Sequence, residues 1–251
     1  MVRRLIRTLK RGLRGDGRIS YAQSGEDLIA ATLLQDLLKI PLPAYLDVGA
    51  HHPTYLSNTY LFYRIGCRGV CVEPDTALME IIKRKRKRDV CLNVGVGISQ
   101  QTSADFYVLS TKTLNTFSRE EAELQVQTQN HAIERVLRIP LVSIERIIQE
   151  HFDRWPNFIS LDTEGMDLAI LKSFDFKKFR PEVFCVETLT HPHERKVTEI
   201  VDLMCSSGYL MYADTYINTI FVEKGAWEKR GLSEVLRLSL RNKNELHIQG
   251  T

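Results

Sequence analysis

Acidic residues recur in this chain at one kind of place, just past or near the end of a short apolar run. Asp47 lies in the run Ala44–Val48, with Gly49 next; Glu73 ends the run that starts at Gly69. Asp162 and Glu164 follow Phe158–Leu161, with Gly165 after them, and Glu187 ends the run from Val183. A carboxylate at a strand end can take a polar ligand. A glycine beside it, lacking a Cβ, lets the backbone bend sharply and come close to that ligand. An acid at the end of a second strand suits the paired hydroxyls of a ribose. Asp47 with Glu73 therefore points to an adenosine-containing cofactor held without a phosphate clamp. No GxGxxG follows the first strand, so there is no backbone nest for a pyrophosphate, which weighs against an NAD-linked oxidoreductase.

The elements that must position these groups alternate. Apolar residues at helical spacing from Leu28 to Leu38 end at Pro41 and Pro43. A helix is expected from about Thr54, over Leu56–Ile65, closed by Gly66. Asp75 or Thr76 caps the next helix, whose Leu78, Ile81 and Ile82 face the core. Strands are expected over Val90–Val96, 104–109 and Ile139–Val142. Ser118 with Glu121 forms a capping box for a helix too polar for a core, so residues 118–138 read as a mobile cover over the site. Ser143 caps a short helix, and further helices start near Asp167 and Val197, the last closed by Gly208. Tyr209–Ala213 and Thr219–Glu223 pair as a final hairpin. Alternating strands and helices make a mostly parallel sheet with helices on both faces. Right-handed crossovers then bring Asp47, Glu73, Asn93, Asp162 and Glu187 to one sheet edge, where such folds bind ligands.

A chain of 251 residues, 43% hydrophobic and 26% charged, holds one sizeable α/β domain, here placed at 19–225. A net charge of +3 is too small to call for nucleic acid. The five cysteines contain no CxxC pair and point to a reducing compartment, hence the cytoplasm. No apolar run is long enough to span a membrane. Residues 1–18 form a basic amphipathic leader, with Leu5, Ile6, Leu9 and Leu13 on one side and arginines on the other. Such a helix, here residues 1–14, can lie on an anionic membrane, dock on a partner or stay solvated. The run Lys83–Arg88 reads as a solvated helix end that also suits a phosphate-rich surface. Residues 226–251 are a charged tail.

The ordered set Ala22–Asp27, Leu46–Ala50, Ser57–Thr59, Gly69–Pro74, Ser160–Gly165 and Arg180–Glu187 resembles the FkbM family of S-adenosylmethionine-dependent methyltransferases. The resemblance implies a Rossmann-like class I methyltransferase fold: seven strands, mostly parallel, one antiparallel. It implies S-adenosyl-L-methionine as donor and a hydroxyl oxygen, often on a sugar or natural product, as acceptor. By position, Asp47, Gly49 and Ala50 form the methionine-side cradle, Glu73 holds the ribose, and Asn93 to Gly95 lie near adenine. Gln23, Glu26 and Asp27 belong to a segment that closes over the site, and Asp162 and Glu164 stand at the reacting edge. His51, His52 and Pro53 intervene where a further glycine is usual, and Asp167 stands where the family often has glutamate.

A sulfonium methyl needs alignment and dryness more than acid catalysis, but an alcohol acceptor must lose its proton. Asp162 is the first candidate base, followed by Glu164, His191 and His51; the plain alternative for Asp162 is a cap on the Gly165 turn. No resident metal is expected. If magnesium were used, Asp162 and Glu187 would suit it better than His191 or His193. The expected partner is a small-molecule or glycan acceptor, not nucleic acid: no base-methylating motif is present and no aromatic residues interleave with the basic run. The competing readings are a catalytically inactive cofactor- or glycan-binding module and, less favoured, the oxidoreductase.

Overall fold

The computed structural model describes residues 17–99, 101–190 and 195–230; nearly all of the leader, the tail from 231 and His191 lie outside them. In chain order the elements are α1 (Glu26–Ala31), continued by a π-helical segment Thr32–Leu37, β1 (Tyr45–Val48), α2 (Tyr60–Arg64), β2 (Gly69–Val72) and α3 (Thr76–Lys85). Then come β3 (Val90–Leu92), β4 (Gly95–Val96), β5 (Ser103–Leu109), α4 (Arg119–Gln129), β6 (Ile133–Val142), α5 (Ile144–His151), β7 (Phe158–Leu161) and α6 (Asp167–Ser173). The chain continues with β8 (Val183–Glu187), β9 (Leu189–Thr190), β10 (Arg195–Lys196), α7 (Thr198–Ser206), β11 (Tyr209–Asp214), β12 (Asn218–Glu223) and α8 (Lys224–Lys229).

Seven strands form one sheet in the order β11-β12-β8-β7-β1-β2-β3. Only β12 runs against its neighbours, so the final hairpin supplies the reversed strand, as expected. Strand alternation sorts side chains to two faces. Leu46, Val48, Val70, Val72, Ile159, Leu161, Phe184 and Val186 pack with α5, α6 and α7. Tyr45, Phe158, Val183 and Cys185 pack with α1, its π-helical continuation and Phe62 of α2, while Cys71 packs with Met79 and Ile82 of α3. This is the seven-stranded, doubly covered class I methyltransferase architecture.

Four local expectations are corrected. The helix placed over Leu56–Ile65 begins only at Tyr60, because Leu56 takes a left-handed φ of 51° and Ser57, Asn58 and Thr59 turn inward and are buried. The strand placed over Val90–Val96 divides. Val90–Leu92 closes the main sheet, while Gly95 and Val96 leave to pair with β6 in a second sheet of order β4-β6-β5. The cover expected over 118–138 is a helix only to Gln129, and 133–142 is a strand paired with β5. The basic run is not uniformly solvated: Arg86 is fully buried. Its guanidinium meets Asp89 at 2.8 Å, Thr59 at 2.8 Å and Asp47 at 3.4 Å, under the ring of Tyr45. A charge buried this deeply is tolerable only when paired and hydrogen-bonded.

Candidate active site

The C-terminal ends of β1, β2, β7 and β8 open onto a cavity of about 400 Å³, within the size range of small-ligand sites. At one end the chain turns at Gly49, φ 79°, where a Cβ would stand 1.7 Å from the Asp162 carbonyl oxygen; only glycine fits. The Gly49 and Ala50 amides both donate to Val72 O, at 3.0 Å each. The next amide, from His51, donates to Glu73 Oε2 at 2.9 Å, and the Asp75 amide donates to Oε1 at 2.8 Å. Burial nonetheless outweighs these amides and raises the Glu73 carboxyl to about 7. Each oxygen keeps a lone pair for a further donor, so paired ligand hydroxyls fit here.

At the other end Asp162, Glu164 and Glu187 place carboxylate oxygens within 4.8 Å of one another. Glu164 reaches in from a left-handed φ of 51°, followed by Gly165 at 104°. Burial, then the charge of Asp167, raises Asp162 to about 7. Burial and the neighbouring acids drive Glu164 and Glu187 well above the ordinary carboxylate range. Asp167 accepts the Thr163 amide at 3.1 Å and is held near 6, chiefly by burial. Such a cluster can share protons, and its oxygens are also of the kind a hard divalent cation takes. The lysine in the cavity wall, Lys112, is itself paired with Glu134 at 2.5 Å. The interior is thus acidic and complements a ligand that carries positive charge.

The other expected site residues fall in three places. Gln23, Gly95 and His51 line the cavity, and burial keeps the His51 imidazole below its ordinary pKa. Asp47, Ala50 and Asn93 stand behind it. Asp47 bonds Thr59 and Arg86, and burial raises its carboxyl against the pull of Arg86. Ala50 packs on Met79 and Ile82. Asn93 spends its amide group on Glu73 O, Pro74 O and Thr76, pinning the β2–α3 turn. Glu26 and Asp27 fasten the N-terminal segment instead of reaching the cavity. Glu26 takes the Ser24 amide, Thr215 and Asn218, and Asp27 takes Ser20, the Tyr21 amide and its neighbour Leu28. His191 lies outside the described residues.

Sequence reasoning missed a strap over the cavity, Lys112–Phe117. Asn115 bonds Asp75 at 3.3 Å beside the Glu73 end, and Thr116 bonds the Glu164 carbonyl at 2.8 Å beside the acidic end. Phe117 sits so close to Gly95 that a Cβ there would lie 2.3 Å from the ring. The lone pointer in the sequence was Gly95 itself.

A family model of the methyltransferase FkbM domain matches residues 47–211, about two thirds of the chain, and spans both ends of this cavity. The chain belongs to the FkbM methyltransferase family. No curated protein matches it. Solved structures similar to this FkbM protein include a TehB-like S-adenosylmethionine-dependent methyltransferase from Corynebacterium glutamicum, at 10% identity and TM-score 0.43, over 88% of this chain and 97% of that one. A precorrin-6y C5,15-methyltransferase from Geobacter metallireducens is similar at 11% identity and TM-score 0.38, over 78% and 87%. A Burkholderia thailandensis 1,6-didemethyltoxoflavin N1-methyltransferase, solved with S-adenosylhomocysteine, is similar at 11% and 0.37, over 80% and 77%. Among the described residues of the FkbM protein, no helix is long and apolar enough to cross a membrane.

Proposed function

We propose that this protein is an S-adenosylmethionine-dependent O-methyltransferase acting on a hydroxyl of a sugar, glycan or related small-molecule acceptor. The observation that carries the reading is the division of one cavity between a carboxylate held by one backbone amide on each oxygen, Glu73, and a carboxylate cluster, Asp162 with Glu164 and Glu187. The residues fit the donor. Gly49, which lines the cavity, lets the β1 end pack directly against the Asp162 backbone, Glu73 has lone pairs for two hydroxyls, and the acidic lining suits a cationic sulfur. When bound, S-adenosylmethionine supplies a methyl group on a sulfonium, with a neutral thioether as the leaving group. Asp162 takes the acceptor proton as the carbon–oxygen bond forms, a role that suits a carboxyl held near 7 and contributes about 10²–10⁴-fold. Glu164 and Glu187, whose carboxyls burial and the neighbouring acids push upward, stand beside Asp162 to orient the acceptor through hydrogen bonds.

Isothermal titration with S-adenosylmethionine, followed by transfer of a labelled methyl group to a panel of sugars, tests the proposal. Micromolar binding with labelled ether products supports it. Absence of binding sinks it.

A further inference from the structure

The basic run has two fates. Arg86 turns inward, while Lys83, Arg84, Lys85, Lys87 and Arg88 remain exposed. Lys83 pairs with Glu80 at 3.0 Å and Arg88 stacks on Tyr63 at 3.9 Å. The side chains of Arg84 and Lys85 make no hydrogen bond or ion pair among the described residues. The nearby Asp89 is already taken by Arg86 and Tyr45.

Arg84 and Lys85 border a surface recess whose other walls are Ile81, His52, Pro53 and Thr54. The His52 ring is oriented by its own backbone: Nδ1 accepts the Thr54 amide at 3.2 Å and the Tyr55 amide at 3.0 Å. With Nδ1 accepting, the proton of the neutral ring sits on Nε2, which is left as a donor. A guanidinium, an ammonium and an imidazole N–H around one recess form a donor set for phosphoryl oxygens.

The recess and the cavity share a loop. His51 and Tyr55 line the cavity, and His52–Thr54 wall the recess. Three residues of chain, from His52 to Tyr55, span at most about 11 Å, within the reach of a sugar ring with an attached diphosphate.

We propose that the acceptor carries a diphosphate, gripped in this recess by Arg84, Lys85 and the Nε2–H of His52 while its hydroxyl enters the cavity around the His51–Tyr55 loop. As an account of the acceptor, this rests on the methyl-transfer reading, but its binding test does not. Inorganic pyrophosphate, titrated calorimetrically into the full chain without S-adenosylmethionine, is the probe. The wild type is expected to bind it. Arg84→Glu combined with Lys85→Glu should weaken binding about 10-fold or more, and His52→Ala several-fold. Lys83→Glu with Lys87→Glu makes the same charge change nearby and should cost no more than about 3-fold. S-adenosylmethionine affinity should be unchanged in every variant.

No pyrophosphate binding, or equal losses in the two double variants, overturns the proposal. If pyrophosphate binds and S-adenosylmethionine does not, the recess stands and the methyl-transfer reading falls. Competition by a soluble nucleoside diphosphate sugar, or by an isoprenyl diphosphate in neutral phosphatidylcholine vesicles, supports the proposal and tells which source carries the group. Binding of single-stranded RNA through Arg84 and Lys85 that pyrophosphate does not displace overturns it.

Discussion

The two ends of the cavity handle buried carboxylates in opposite ways. Glu73 is surrounded by donors, with a backbone amide on each oxygen at 2.9 and 2.8 Å. Asp162, Glu164 and Glu187 are surrounded chiefly by one another. The first arrangement fixes a carboxylate in place for recognition. The second sets buried carboxyls against one another, so that a proton can be shared among them. Burial brings Glu73 and Asp162 alike to about 7; what separates the ends is that only Glu73 has a backbone amide on each oxygen to hold it in place.

The sharpest way to break this contrast is Asp162→Asn. We expect kcat to fall about 10²–10⁴-fold with S-adenosylmethionine affinity nearly unchanged; initial rates and titration check both. Equal loss of affinity would erase the distinction between the ends. Arg86→Met strips the pairing beneath the holding end and leaves Asp47 and Asp89 buried without their cation. It should cost about 3–5 kcal/mol in stability, read by chemical denaturation. Glu73→Gln should weaken S-adenosylmethionine binding by about 1.5–3 kcal/mol, the worth of a hydrogen bond to a charged group, while kcat at saturation changes little.

The smallest effect is on pH dependence. If Asp162 is the base, kcat/KM rises with pH through about 7. Stability runs the other way. The folded-state pKa of Asp162 and Glu73, about 7, lies above the unfolded value of about 4. Between those values these two groups bind more protons in the folded chain than in the unfolded one, so the stability they contribute is fully present below about 4 and is lost as pH rises through about 7. Thermal melting should shift upward from pH 7.5 to 5.5, and less so in Asp162→Asn. Opposite slopes for rate and stability would tie the two properties to one carboxyl.

Much of the frame is legible in the order of the residues. Strand runs with an acid at their end locate β1, β2, β7 and β8, with a glycine close by at β1 and β7, and Asp75, Ser118 and Ser143 cap the expected helices through their side chains. Gly49, Glu73, Asp162, Glu164 and Glu187 likewise stand out as the residues of strand ends. These are local signals: side-chain period, capping chemistry and the backbone freedom of glycine act over a few residues. Three things cannot be read that way. One is which of six consecutive basic residues turns inward, since Arg86 is chosen by Asp47, 39 positions away, as well as by nearby Asp89. Another is the strap, held by Asn115 on Asp75 and Thr116 on the Glu164 carbonyl, contacts 40 and 48 positions long. The last is the fate of the expected cofactor residues: Asn93, Glu26 and Asp27 are all spent on internal hydrogen bonds. Sequence alone determined which residues arrive at the sheet edge. Tertiary structure decided which of them face the cavity, because a buried polar group must find its partners wherever the fold brings them.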